Sequence, residues 1–219
     1  MKSIKYNQSG FTLVEIAVVL VIIGLLLGGV LKGQEMIENS RIKSVAADLR
    51  GVSAAYNSYV DRFHAIPGDE LLATMTGRGW ATTVGGNADN VLTIAPAQAF
   101  TNAGEEQSFW QALRASGFIT GDPTAVGVAA LPRTGTNGLI GVSVGTYGFT
   151  GASACASGLT TKQARGIDTI IDGAEGNNIG DARGINGAAN PLVPVAAAPA
   201  ATAYNETTIV NTWNMCRPL

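Results

Sequence analysis

The sequence predicts an α+β protein in which one long N-terminal helix packs on a small antiparallel sheet with long glycine-rich loops. Residues 11–31 form a long apolar run, residues 32–65 continue it with helical periodicity, and short strand-like segments follow between turns. Glycine is abundant, with 28 in 219 residues, and only 14% of residues are charged. We therefore expect a transmembrane half-helix at 11–31, an amphipathic half-helix at 32–65 and one globular head at 66–219, preceded by the short basic segment 1–10, whose role as a leader follows from the resemblance described below.

The apolar run is long enough to cross a membrane. Its 21 residues, from Phe11 to Leu31, at about 1.5 Å each match the roughly 30 Å hydrocarbon core of a bilayer. Fifteen of them are Leu, Ile, Val or Phe, so insertion is favourable despite the one charge, Glu15. A secretory signal peptide is the alternative, but its apolar segment is usually about 7–15 residues long and precedes a small-residue cleavage site. Lys2 and Lys5 precede the run, which places the N-terminus in the cytoplasm.

The second half of the predicted helix carries one apolar stripe. Seven apolar residues recur three and four positions apart, namely Ile42, Val45, Leu49, Val52, Tyr56, Tyr59 and Phe63. This spacing places them on one helix face, which we expect to lie against the head. A soluble coiled coil is the alternative, but the stripe lacks its flanking charge pattern. Pro67 and Gly68 disfavour further helix, so we expect the helix to end near 64–66.

The rest of the chain predicts the parts of a small head. Residues 104–117 read as a short amphipathic helix with Phe109, Trp110 and Leu113 facing inward. Residues 185–203 contain three prolines and little apolar periodicity, which predicts an exposed loop. The strand candidates are Val91–Ile94, Leu139–Val144, Tyr147–Phe149 and Ile209–Met215.

The start of the chain resembles the class III signal of type IV prepilins and type II secretion pseudopilins. A short basic leader ends in Gly10 and is followed by FTLVEIAVVLVIIGLLL. The resemblance implies that a prepilin peptidase cleaves between Gly10 and Phe11 and methylates the new amine of Phe11. It also implies that Glu15 serves filament assembly.

Looser matches continue along the chain in the expected order. FHAIPGDE at 63–70, EEQSFWQALRASGFITG at 105–121 and IDTIIDGAEGNNIGDARG at 167–184 resemble segments of a subgroup of bacterial pilin-like proteins. The resemblance implies a precursor in the inner membrane, an assembly platform there, other pilin subunits as partners, and a filament at the cell surface. It implies no enzymatic activity of the chain itself.

A carboxylate inside a membrane requires a partner, because burying an unpaired charge is costly. In the cleaved chain, Glu15 could pair with the Phe11 amine of its own helix or with that of a neighbouring subunit. The resemblance favours the second arrangement, which would set the axial register of a filament.

Three functions follow from these observations. The first is a structural subunit of a type IV pilus-like filament, and the second is a minor pseudopilin of a type II secretion system. The third is a membrane-anchored binding protein that never polymerises, for which Glu15 would have no use. We find no catalytic constellation and no basic patch, so we expect neither an enzyme nor a broad nucleic-acid surface.

The head contains the only two cysteines, Cys155 and Cys216. An even pair in a part predicted to lie outside the cytoplasm favours a disulfide, and a single histidine argues against a metal site with these thiols.

One acidic loop raises the question of calcium, although we expect no cofactor. Its weak candidate ligands are Asp168, Asp172, Glu175 and Asp181, which offer the oxygen atoms that calcium prefers. The spacing does not match an EF-hand. We favour a turn-rich loop in which Asp and Asn side chains bond their own backbone.

Overall fold

The computed structural model describes residues 10, 12–173, 176–205 and 212–219. It contains two compact units, Met1–Ser40 and Arg41–Leu219. Helix α1, Leu13–Phe63, is 51 residues long, begins in the first unit and ends in the second. The prediction of one long helix, apolar first and amphipathic second, is confirmed.

In the second unit, α1 buries the stripe that the sequence predicts. Ile42, Val45, Leu49, Val52 and Tyr59 are buried, and Tyr56 and Phe63 pack partly buried against the same core. The helix ends one residue before the predicted boundary because His64 adopts a left-handed backbone conformation with φ of 51°.

Four antiparallel strands form the sheet, in the order β1-β2-β4-β3. Their bounds are Ile140–Val144 for β1, Ala152–Leu159 for β2, Arg183–Gly187 for β3 and Thr212–Pro218 for β4. The predicted small antiparallel sheet is confirmed. Strand β1 corresponds to the candidate Leu139–Val144, and β4 contains the described part of the candidate Ile209–Met215, of which residues 209–211 lie outside the described residues. In the central pair, Cys155 of β2 lies directly opposite Cys216 of β4.

Three shorter helices complete the head, α2 at Leu72–Gly77, α3 at Glu105–Ala115 and α4 at Thr161–Ile171. The prediction of α3 is confirmed, since Phe109, Trp110 and Leu113 are fully buried. Helix α4 approaches α1 closely at Gly166, where an added Cβ would lie 2.8 Å from Cγ2 of Ile42.

Two of the predicted strands are wrong. Val91–Ile94 forms no strand, because carboxylate side chains accept hydrogen bonds from its backbone. Val91 N–H donates to Asp89, and Thr93 N–H donates to Glu105. The segment Tyr147–Phe149 is instead part of a 3-10 turn, Thr146–Gly148, in which Tyr147 has a φ of 52°. Left-handed backbone at this position turns the chain between β1 and β2.

Two strands, β2 and β3, and two helices, α2 and α4, were not expected from the sequence. Strand β2 is rich in Ala, Ser and Gly, which have low strand propensity, and it is held by neighbours on both sides. Strand β3 occupies the end of the acidic segment and the beginning of the predicted loop 185–203. Helix α4 places Asp168 on a helix rather than in a loop.

Candidate processing and assembly site

The first turn of α1 is closed by a capping box between Thr12 and Glu15. The Thr12 backbone N–H donates to Oε2 of Glu15 at 2.8 Å, and the Thr12 hydroxyl donates to the same oxygen at 2.7 Å. In return, the Glu15 backbone N–H donates to Oγ1 of Thr12 at 3.3 Å. The carboxylate therefore satisfies a backbone donor that a helix start leaves without an intrahelical partner.

This partner of Glu15 is one that the sequence analysis missed. The signal was available, because Thr-x-x-Glu before an apolar run is the capping-box pattern. The capping box gives Glu15 a role within its own chain. This role differs from both expected pairings of Glu15 with a Phe11 amine. Phe11 itself lies outside the described residues.

The apolar half of α1 carries large apolar side chains that are exposed. Every Leu, Ile and Val from Leu13 to Leu31 is 46–91% exposed. Within the described residues, α1 is the helix that is long and apolar enough to cross a membrane, and none of its most apolar stretch is buried. An exposed apolar surface of this kind requires lipid or other apolar helices as its surroundings. At the polar end of the apolar run, Lys32 pairs with Glu35 at 2.8 Å.

Gly10 lies on the leader side of the expected cleavage junction and is exposed. No atom lies within 4 Å of the position that its Cβ would occupy. Among the described residues, none would therefore obstruct a side chain at residue 10.

The structure joins Cys155 and Cys216 in a disulfide, as the sequence predicts. Both residues are buried, and the bond links the two central strands of the sheet. It belongs to the head and has no part in the N-terminal site.

Carboxylate oxygens of the acidic loop accept hydrogen bonds from backbone N–H groups. Oδ2 of Asp168 accepts from Gly176 N–H at 2.8 Å, and Oδ2 of Asp172 accepts from Ala182 N–H at 3.1 Å. Asp181 is exposed. Glu175 falls outside the described residues. Within the part of the chain that the structure describes, no three His, Cys, Asp or Glu side chains are grouped to hold a metal ion. The calcium site stays a prediction.

Asn177 organises the same loop, whereas from the sequence it was only one of several residues that could offer an oxygen ligand. Its Nδ2 donates to the carbonyls of Gly184 and Ala200, both at 3.0 Å, and its Oδ1 accepts from Thr202 N–H at 2.7 Å. The residue is 1% exposed. A single amide thus ties the acidic loop to β3 and to the segment after residue 199.

Glu106 is another residue whose role the sequence analysis missed. It lies at the start of α3 and is fully buried. Its carboxylate accepts three backbone N–H groups, from Thr101 at 3.1 Å, from Asn102 at 2.7 Å and from Val142 at 3.2 Å. Burial raises the pKa of Glu106 to about 7, while these donors act in the opposite direction.

This carboxyl should make the stability of the head depend on pH. Because its pKa is raised from 4.5 to about 7 on folding, its stabilising contribution is complete below the lower value and is lost as the pH rises through the higher one. From this group alone, the free energy of unfolding should be about 2 to 3 kcal/mol larger near pH 5 than near pH 8. Thermal unfolding of the full chain in detergent measures this, and Glu106→Gln should flatten the profile. Equal pH profiles for the two proteins would contradict the prediction.

Comparison with known families addresses the N-terminal segment. The family model for the prokaryotic N-terminal methylation motif matches residues 5–31. Neither a curated protein nor a solved structure matches the chain. The matched segment includes the Gly10–Phe11 junction, the Thr12–Glu15 capping box and the exposed apolar half of α1. The chain therefore carries on residues 5–31 the processing and methylation signal of type IV pilins and pseudopilins, which supports a precursor of that class.

Proposed function

We propose that this chain is a structural subunit of an extracellular type IV pilus-like filament. The observation that carries the proposal is the first half of α1, where the methylation motif coincides with a continuous set of exposed leucine, isoleucine and valine side chains. Membrane-length apolar helices of this kind can leave the bilayer only if other apolar helices replace the lipid.

In this proposal the precursor spans the inner membrane once, with its N-terminus in the cytoplasm. A prepilin peptidase cleaves after Gly10 and methylates the Phe11 amine. Glu15 then pairs with the Phe11 amine of a neighbouring subunit as an inner-membrane platform adds subunits to the filament. The chain is a substrate of the peptidase and performs no reaction itself.

The Gly10–Phe11 junction provides a direct test. Gly10→Val should leave uncleaved precursor in the membrane, because the substitution changes the residue that the peptidase must accept. A Cβ at residue 10 meets no described residue within 4 Å, so we attribute a block to the peptidase and not to misfolding. N-terminal sequencing should give Phe11 as the first residue of the wild-type mature chain.

Gly24→Val is the matched control. Gly24 also has no atom within 4 Å of its Cβ position, so the same substitution away from the junction should leave cleavage intact. A mature chain that begins at any residue other than Phe11 would refute the proposed processing. Mass spectrometry of filaments sheared from the cell surface distinguishes a pilus subunit, which should be abundant there, from a pseudopilin of a secretion system.

A further inference from the structure

Strand β1 lies at one edge of the sheet, where unpaired backbone groups normally invite another strand to pair. In this head its outward N–H groups are all occupied. Ile140 N–H donates to the Pro132 carbonyl and Val144 N–H donates to the Ile94 carbonyl, both at 2.8 Å. Between them, Val142 N–H donates to Oε1 of Glu106 at 3.2 Å. A side-chain carboxylate thus takes the place of a strand at the centre of the edge.

The same carboxylate also holds a segment that lies over this edge. We call residues 94–102 the edge cover. Oε2 of Glu106 accepts from the cover residues Thr101 and Asn102, while Oε1 accepts from β1. The cover meets β1 at the edge through the Val144 N–H bond to the Ile94 carbonyl and also packs on the sheet face, where the Ala99 carbonyl oxygen fills the position that a Cβ on Gly141 would occupy. Glu106 is therefore the side chain that connects the cover, α3 and the strand.

Neither the strand nor its cover has charge that would repel a second strand. Residues 94–102 and 140–144 contain no Asp, Glu, Lys or Arg, although charged side chains are a common protection of sheet edges. Two copies of β1, Ile-Gly-Val-Ser-Val, could pair antiparallel about Val142 without like-charge repulsion. Within the described residues, the protection at this edge comes from the cover, from the Pro132 carbonyl at Ile140 and from Glu106 at Val142.

We propose that Glu106 keeps β1 closed to strand addition by a second copy of this chain. Subunits then associate through α1 and not through their sheets. The protection matters most where heads are held close together, since tethering raises their effective concentration. The argument from heads held close together rests on the proposed function, whereas the closure of β1 by Glu106 does not.

The proposal is tested on the full chain in detergent, where no filament is needed. Glu106→Gln keeps the size of the side chain but has one acceptor oxygen for three donors. Amide hydrogen exchange at Ile140, Val142 and Val144 should accelerate by about tenfold or more, since these bonds now open locally, with exchange in β2 and β4 unchanged. Sedimentation should show concentration-dependent association beyond that of the wild type.

Two further variants distinguish pairing of β1 strands between two copies from a general loss of structure in the head. Glu105→Gln is the matched control, because it changes the neighbouring carboxylate, which binds Thr93 and not β1. It should leave exchange in β1 and association at wild-type levels. Adding Val142→Pro to Glu106→Gln removes the central N–H of the edge and should suppress the new association.

Several results would overturn the proposal. Unchanged exchange in β1 of Glu106→Gln would mean that the carboxylate does not close the edge. Uniformly faster exchange, including β2 and β4, would make Glu106 a general core residue. Association that persists after Val142→Pro would place the contact elsewhere. Because these readouts use detergent-solubilised subunits, they are independent of whether the chain forms filaments in cells.

Discussion

Replacing Glu15 by alanine should cut the yield of sheared filaments by about tenfold or more, because each subunit contact then buries an unpaired amine. The processed subunit should accumulate in the membrane. Insertion should be unchanged or slightly easier without a carboxylate in an apolar helix, and the Gly10–Phe11 junction is untouched. The measurement compares filaments sheared from cells with membrane-bound protein from the same culture.

Two companion variants separate the charge of Glu15 from its role in the capping box. Glu15→Gln keeps an oxygen that can accept from Thr12 N–H but removes the charge. Thr12→Ala keeps the charge and removes the hydroxyl partner. If charge pairing drives assembly, Glu15→Gln should behave like Glu15→Ala, and Thr12→Ala should still form filaments. Normal filament yield from Glu15→Ala at normal subunit levels would refute the proposed pairing, and normal yield from Glu15→Gln alone would assign the effect to capping.

Removing the disulfide should give the largest loss of stability in the head. The bond between Cys155 and Cys216 closes a loop with a sequence separation of 61 residues. Such a loop corresponds to about 4 kcal/mol in the chain-entropy model of cross-link stabilisation. Replacing both cysteines by alanine should therefore lower the free energy of unfolding of the full chain by about that amount. Denaturant unfolding in detergent, followed by tryptophan fluorescence, measures the change.

Chemical reduction provides the control for this prediction. Wild-type protein in a strong reductant should lose about the same stability as the double alanine variant, and reductant should not affect the variant. The pairing of β2 with β4 should persist in both, since the backbone register around Cys155 does not depend on the bond alone. Two free thiols in the secreted wild-type protein, or equal stability with and without reductant, would contradict the prediction.

Helix α1 and strand β2 mark the two extremes of what the sequence predicts. In α1, apolar residues recur every three or four positions, and this local pattern alone indicates the helix and its buried face. In β2, the residues Ala, Ser, Cys and Gly have little strand propensity. That strand exists because β1 and β4 bond to it from both sides, and pairing with β4, more than 50 residues later in the chain, leaves no local pattern in the sequence of β2.

The candidate site divides in the same way. The Gly10–Phe11 junction and Glu15 are recognisable because the motif is short and contiguous. The capping partner Thr12 could also have been predicted, since it is three residues from Glu15. In contrast, the three bonds of Asn177 reach residues 7, 23 and 25 positions away. No local pattern distinguishes such an asparagine from an ordinary turn residue.

The sequence by itself determined the long helix, the methylation motif that contains Gly10, Phe11 and Glu15, and the choice of Cys155 and Cys216 as a pair. These follow from periodicity, contiguous motifs and a count of two, which need no knowledge of distant contacts. Only the tertiary structure decided the order of the strands, the use of the acidic loop on backbone amides and the closure of β1 by Glu106. Glu106 and Val142 are 36 residues apart, and their contact depends on how α3 packs on the sheet. A carboxylate acquires such a role only when folding removes water from around it and leaves backbone amides as its hydrogen-bond donors.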